Sequence, residues 1–192
     1  MDTKELFKVL AEIYPLSGGF KESLEKELIQ LSLPQNHLLL EAPKIADHAY
    51  FLNKGFAMGY TFVNGKKSIE AFWKAGQIIV SSNSFFEQLP SLEYIQLMQK
   101  SEVLCISYSS VQKLFKGHLE AQHIYRILMS RHYEQSRNRI HDLLRLDARE
   151  RFEKVLNIFP KIEQIIPQDA IASYLGITPQ SLSRLKRKKT DS

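Results

Sequence analysis

The stretch Gln168-Asp169-Ala170-Ile171-Ala172-Ser173-Tyr174-Leu175-Gly176-Ile177-Thr178-Pro179-Gln180-Ser181-Leu182-Ser183-Arg184-Leu185-Lys186-Arg187 decides how this chain is read. It meets the requirements of two short helices that cross at a tight turn. Where the helices touch, the first needs a small side chain, and Ala172 provides it. The turn needs a residue tolerant of positive φ, and Gly176 stands four positions later. Ile171, Leu175, Ile177, Leu182 and Leu185 are spaced to share one apolar core. Thr178 can cap the second helix, and Pro179 at its first position has no N–H to leave unpaired. The stretch is therefore expected to be a helix-turn-helix.

On the second helix, Gln180, Ser181 and Arg184 fall on one face near the N-terminal end. Arg can bridge guanine O6 and N7, and Gln can pair with adenine. Thr178, Ser181 and the run Lys186-Arg187-Lys188-Lys189 suit phosphate contacts, which position a protein without reading sequence. A plain helical hairpin with solvated charges would need none of these coincidences. The expected partner is double-stranded DNA, with Thr178, Gln180, Ser181, Arg184, Lys186, Arg187 and Lys188 as the contact set.

The charge distribution points the same way. Residues 1–118 carry 12 Lys and 12 acidic residues, whereas residues 119–192 carry 14 Lys plus Arg against 9 acids. All nine arginines lie between Arg126 and Arg187, so the basic balance belongs wholly to the C-terminal part.

Working back along the chain, Ala121, Ile124, Tyr125, Leu128, His132, Ser136, Ile140, Leu143 and Leu144 keep a helical period, and no Pro or Gly interrupts 119–146. An amphipathic helix can pack on its own domain, but one of this length also invites a second chain, with Ala121, Ile124 and Leu128 then expected to pair across a two-fold axis. Asp147 with Glu150 has capping-box spacing for the next helix, whose apolar face ends before Pro160. Upstream, the period is 2: Leu38–Leu40, Tyr50–Leu52, Phe56–Val63, Ser68–Trp73, Gln77–Val80, Tyr94–Met98 and Glu102–Ser107 read as short strands. Asn64-Gly65 marks a two-residue hairpin between two of them. Lys4–Tyr14 and Phe20–Leu31 read as helices in front of the strands. The expected fold class is α+β: an antiparallel, jelly-roll-like β-roll (1–112), a long dimerisation helix (113–146) and a small helix-turn-helix domain (147–192).

Taken in this order, the chain resembles the Crp/Fnr family of bacterial transcription regulators. Ala49-Tyr50-Phe51-Leu52-Asn53-Lys54-Gly55 is similar to the family's strand ending in glycine. Asn64-Gly65-Lys66-Lys67 and Phe72-Trp73-Lys74-Ala75-Gly76-Gln77 are similar to its next hairpin and the start of its phosphate cassette. Ile171–Pro179 with Leu182-Ser183-Arg184 is similar to the recognition segment of regulators from Bacteroidetes-type bacteria. The resemblance implies a cytoplasmic homodimer on a two-fold-related DNA site, with one effector site per subunit and RNA polymerase as a further partner. Gln180, Ser181 and Arg184 are the base-reading residues that it implies.

The phosphate cassette departs from the family. Gly76 is followed by Gln77 where cyclic-nucleotide binders carry Glu, Ser91 follows Pro90 where they carry Arg, and residues 1–125 contain no Arg. A cyclic phosphate without its guanidinium loses a bidentate, charge-assisted contact, so cyclic AMP is disfavoured. The effector is then unknown, and any pocket is expected around Gly76, Gln77, Ser81 and Ser82. The single Cys105 cannot hold an iron–sulfur cluster that needs four thiolates, and it reads as a small buried hydrophobe. His118, His123, His132 and His141 lack the i, i+4 step of a helical metal site, so no metal or cofactor is expected.

No apolar run approaches the roughly 20 residues that span a bilayer, and Met1-Asp2-Thr3-Lys4-Glu5 has no basic-then-apolar leader pattern. No Gly-rich phosphate loop, Gly-x-Ser-x-Gly elbow or His-Glu-x-x-His is present, which disfavours an enzyme. The alternative to a regulator is a ligand-binding or protein-interaction module without productive DNA binding. Few residues follow Arg187 to form a wing.

Overall fold

The computed structural model describes residues 1–190, with side chains up to Arg187. Two helices lead, α1 (Lys4–Ala11) and α2 (Gly18–Glu27). Eight strands follow: β1 (Ile29–Leu33), β2 (Leu38–Leu40), β3 (His48–Lys54), β4 (Phe56–Val63), β5 (Lys66–Lys74), β6 (Gln77–Ile79), β7 (Tyr94–Leu97) and β8 (Ser101–Ser107), with α3 (Ser82–Glu87) between β6 and β7. The remainder is helical: α4 (Tyr108–Gly117), α5 (Leu119–Arg145), α6 (Ala148–Ile158), α7 (Ile162–Ile165), α8 (Gln168–Leu175) and α9 (Pro179–Thr190). Among the described residues no helix is long and apolar enough to cross a membrane.

The strands form two antiparallel sheets, ordered β1-β8-β3-β6 and β2-β7-β4-β5, which close over a core containing Leu52, Ile79, Phe85, Leu97 and Val103. This is the expected roll. The Asn64-Gly65 turn has φ of 51° and 74°, both positive, and sets Val63 opposite Lys66 in the β4–β5 hairpin. At the other end of β4, Gly55 has φ +112°, and an added Cβ would stand 2.0 Å from Ser101 Oγ and 2.7 Å from its Cβ.

Two expectations are corrected, and one element was not anticipated. The helix read over Phe20–Leu31 ends at Glu27, and residues from Ile29 form β1, paired with β8 from Ile29↔Cys105 to Leu33↔Ser101. Leu24, Leu28 and Leu31 are helically spaced, but a long-range ladder overrides that local period. The short α3 carried no periodicity to read. The boundary placed at 112/113 cuts α4, and the long helix begins only at Leu119.

α4 is capped by Ser107, whose Oγ accepts from the Ser110 N–H. α6 carries the expected capping box, in which Asp147 accepts from the Glu150 N–H while Glu150 accepts from the Asp147 N–H.

The C-terminal helices are not a free unit. Phe152, Val155, Phe159, Ile162, Ile171, Leu175 and Leu182 share one buried cluster with Phe56, Met58, Tyr60, Ile69 and Phe72 of the roll. The contact centres on β5 and α8. The Ile69 N–H donates to Ser173 Oγ (3.1 Å), and Ser173 Oγ–H donates to the Lys67 carbonyl (3.2 Å). The Phe72 and Tyr174 rings lie 4.7 Å apart. Arg139 of α5 closes the junction. Its guanidinium sits 3.8 Å over the Tyr174 ring and donates to the carbonyls of Tyr174 and Ile69.

Two measurements check this description. Gly55→Ala combines a strained φ with a steric clash and is expected to cost about 3 kcal/mol in urea unfolding; a change below about 0.5 kcal/mol would contradict the packing at Ser101. Arg139→Ala is expected to cost about 1–2 kcal/mol. Its amide exchange should quicken at α8 and Ile69 while β1 stays protected; uniform acceleration would contradict a local clamp.

Candidate nucleic-acid interface and effector cavity

The turn between α8 and α9 is built as its sequence demands. Gly176 has φ 68° and ψ 33°, the left-handed conformation that ends a helix. Its N–H donates to the Ser173 carbonyl and that of Ile177 to the Ala172 carbonyl, both at 3.0 Å, while Arg139 and Arg151 donate to the last two carbonyls of α8, Tyr174 and Leu175. Ile171, Ala172 and Leu182 are fully buried, so the two helices meet at the alanine as expected. The Ser181 N–H donates to Thr178 Oγ1 at 3.2 Å, and the two hydroxyl oxygens lie 3.0 Å apart. Thr178 therefore caps α9, with Pro179 in its first turn.

Capping and exposure divide the residues of α9. Gln180, Arg184 and Arg187 are exposed, and their spacing of four and three places them on one face. The side chains of Gln180 and Arg184 have no hydrogen-bond or ion-pair partner among the described residues. Ser181 is half-buried. Lys186, expected to face phosphate, forms an ion pair with Glu163 at 2.5 Å and is half-buried. The side chain of Lys188 lies outside the described residues.

The long helix differs from its expected role in its first half. Ala121 and Ile124 are 7% and 6% exposed, buried with Leu6, Leu10, Phe20, Leu24, Phe51 and Leu114 of the same chain, and Leu128 packs partly against that cluster. They cannot pair across a two-fold axis, because α1, α2 and the roll already cover them. The apolar period was read correctly; its partner is the chain's own N-terminal helices. The bare part lies further on: residues 130–138 are all exposed, and Tyr133, Ile140 and Leu144 are 64%, 56% and 77% exposed.

Between the roll and this helix lies an elongated cavity of about 330 Å³, lined by α1, α2, the outer face of β3, β6 and β8, and α5. Of the four residues expected at an effector pocket, Gln77 and Ser82 line it, whereas Gly76 and Ser81 do not. Gly76 serves the β5–β6 turn, where its φ is +86° and its N–H donates to the Leu52 carbonyl. Ser81 is buried and its carbonyl accepts from the Phe85 N–H of α3. Ser82 Oγ is buried without a hydrogen-bond partner among the described residues.

Sequence reasoning missed Trp73, Tyr125, Met129, Arg131, His132 and Gln135, which also line the cavity. The lone tryptophan within a strand was a usable signal for Trp73. The α5 residues had none, because only the tertiary fold lays that helix along the sheet. The guanidinium that the roll lacks in sequence is thus brought to the cavity by Arg131 of α5.

Cys105 lies deep in β8, and burial raises its thiol pKa, with nearby Asp47 adding to the effect. A thiol held protonated is a poor nucleophile and ligand. Burial, with Asp47 and then Cys105, also pushes the Tyr50 hydroxyl up to about 12. Of His118, His123, His132 and His141, two are engaged with aromatic rings, His123 stacking on Tyr14 at 4.8 Å and His118 meeting Phe20 edge-on. No group of three His, Cys, Asp or Glu is placed to hold a metal among the described residues.

Comparison with known proteins gives the fold its context. No protein-family model matches the chain, and no curated protein matches its sequence. Solved structures do match. CLP, a c-di-GMP-responsive global regulator from Xanthomonas campestris, superposes with a TM-score of 0.70 at 16% identity, over 91% of this chain and 92% of its own. A transcriptional regulator of the Crp/Fnr family from Eubacterium rectale gives 0.72 at 14% identity, over 90% and 83%. FixK2 from Bradyrhizobium japonicum gives 0.68 at 17% identity, over 84% and 83%. With the roll, the long helix and the helix-turn-helix in the same order over most of each chain, this protein has the fold of the Crp/Fnr transcription regulators.

Proposed function

We propose that this chain is a sequence-specific DNA-binding transcription regulator of the Crp/Fnr type, acting as a homodimer on a two-fold-related site. The observation that carries this reading is the outward face of α9. A finished helix-turn-helix, fixed to a rigid roll, leaves Gln180 and Arg184 exposed and unpartnered among the described residues. Gln180 and Arg184 read base edges, and Arg187 contacts phosphate. Thr178 and Ser181 act first on each other, as the cap, and contact phosphate from the same helix start.

The dimer contact lies on the second half of α5. Two helical turns exposed on every side, Tyr133 among them, with Ile140 and Leu144 exposed just beyond, lack the apolar cover that a single chain gives an isolated helix. Pairing there sets the two recognition helices about one DNA turn, roughly 34 Å, apart.

The effector site is the cavity beside α5, and cyclic AMP is not its ligand. Its wall is hydrocarbon over most of its length and carries no carboxylate to accept ribose hydroxyls. The cavity's chemistry is mostly hydrocarbon with a guanidinium, hydroxyls, amides and the His132 imidazole, an arrangement that suits binding a ligand.

Fluorescence anisotropy on operators selected from a random-sequence DNA pool tests the reading. Binding should be specific and should weaken steeply with salt as counterions are released. Arg184→Ala should cost about 1–3 kcal/mol and relax the preference at one position per half-site; unchanged affinity and preference would remove α9 as the reading helix. In sedimentation equilibrium, Leu144→Asp should shift the dimer toward monomer, whereas an unmoved association constant would place the interface elsewhere.

A further inference from the structure

The cavity changes character along α5. Ala121, Ile124, Tyr125 and Leu128 line it toward α1 and α2, and Arg131, His132 and Gln135 line it further along the same helix. At a rise of 1.5 Å per residue, Ala121 and Arg131 stand about 15 Å apart. None of the lining residues is Asp or Glu, and Arg131 is the one permanent cation among them. Its guanidinium has no hydrogen-bond or ion-pair partner among the described residues. Ser82 lines the same cavity, and its buried Oγ has no hydrogen-bond partner among the described residues.

A long hydrocarbon wall with a single guanidinium matches a ligand with a hydrocarbon body and one anionic head. The volume of about 330 Å³ is at the small end of the roughly 300–1,000 Å³ of small-molecule sites. A cyclic nucleotide would place its phosphate on Arg131 but meet no carboxylate for its ribose hydroxyls, and much of its polar edge would face the hydrocarbon wall. We propose that the cavity binds a medium-chain aliphatic carboxylate. Its chain lies against α1, α2 and the sheet, its carboxylate pairs with Arg131 in a charge-assisted, bidentate contact, and Ser82 donates to it or to a water beside it. The assignment rests on reading this cavity as the effector site.

Trp73 lines the cavity and is the chain's one tryptophan, so its fluorescence reports occupancy directly. The full-length protein is titrated with decanoate, with decanol as the neutral control of equal chain length. Wild type should show a saturable change with decanoate and a much weaker one with decanol. Arg131→Gln should weaken decanoate by about tenfold or more and leave decanol unchanged; Ser82→Ala should weaken decanoate by a smaller factor. Arg131 is exposed, so its replacement leaves the fold intact. The proposal is overturned by an absent or unsaturable decanoate response, by equal affinity for decanol, or by an Arg131→Gln protein that binds decanoate like wild type. The titration contains no DNA, so it fails or succeeds independently of the anisotropy measurement.

Discussion

The contact between β5 and α8 holds the two ends of this molecule together. β5 is an edge strand, paired on one side with β4 only. Successive side chains of a strand point to opposite faces, and β5 uses both. Phe72 packs on Tyr174 and Phe159 of the C-terminal helices, while its neighbour Trp73 lines the cavity. The helices from Ala148 onward are too few to bury their own apolar surface, so they borrow the roll as the missing wall of their core. The polar contacts at Ser173 and Arg139 fix the register of that packing, because an unpaired Ile69 N–H or Tyr174 carbonyl in a half-buried junction would be costly.

Anchoring α8 determines what α9 can present. With Leu182 fully buried against α8 and the turn fixed by Gly176, the orientation of α9 follows from the position of the roll. The face left outward is the one carrying Gln180 and Arg184. For the DNA reading proposed above, a rigid platform behind α9 would reduce the ordering cost of docking, since the helix-turn-helix need not be immobilised at the moment of binding.

α5 carries three different environments in sequence. Its first turns are sealed in the chain's own core, the middle lines the cavity and then stands bare in solvent, and Arg139 near its end clamps the helix-turn-helix to β5. Arg131 and Arg139 lie about two turns apart on one continuous helix. The proposed cavity ligand, the proposed second chain on the bare stretch and the clamp at Tyr174 would therefore all act on the same rigid rod.

Local chemistry explains what was legible before the fold was seen. The capping box at Asp147, the Asn64-Gly65 hairpin and the turn at Gly176 each depend on residues within a few positions, so their sequences determined their structures. The uninterrupted period over 119–146 likewise determined the long helix, and the spacing around Ala172 determined the helix-turn-helix core. The partners of those elements were decided only by the tertiary structure. Leu28 and Leu31 kept a helical period until β8 captured the chain as β1, and Ala121 and Ile124 offered an apolar stripe without stating which surface would cover it. Gly76 and Ser81 stood beside the right residues and yet turned away from the cavity, whereas Arg131, more than fifty positions away, came to line it. Periodicity and capping are properties of neighbouring residues, but the wall of a cavity or the cover of a stripe is a property of segments brought together by folding.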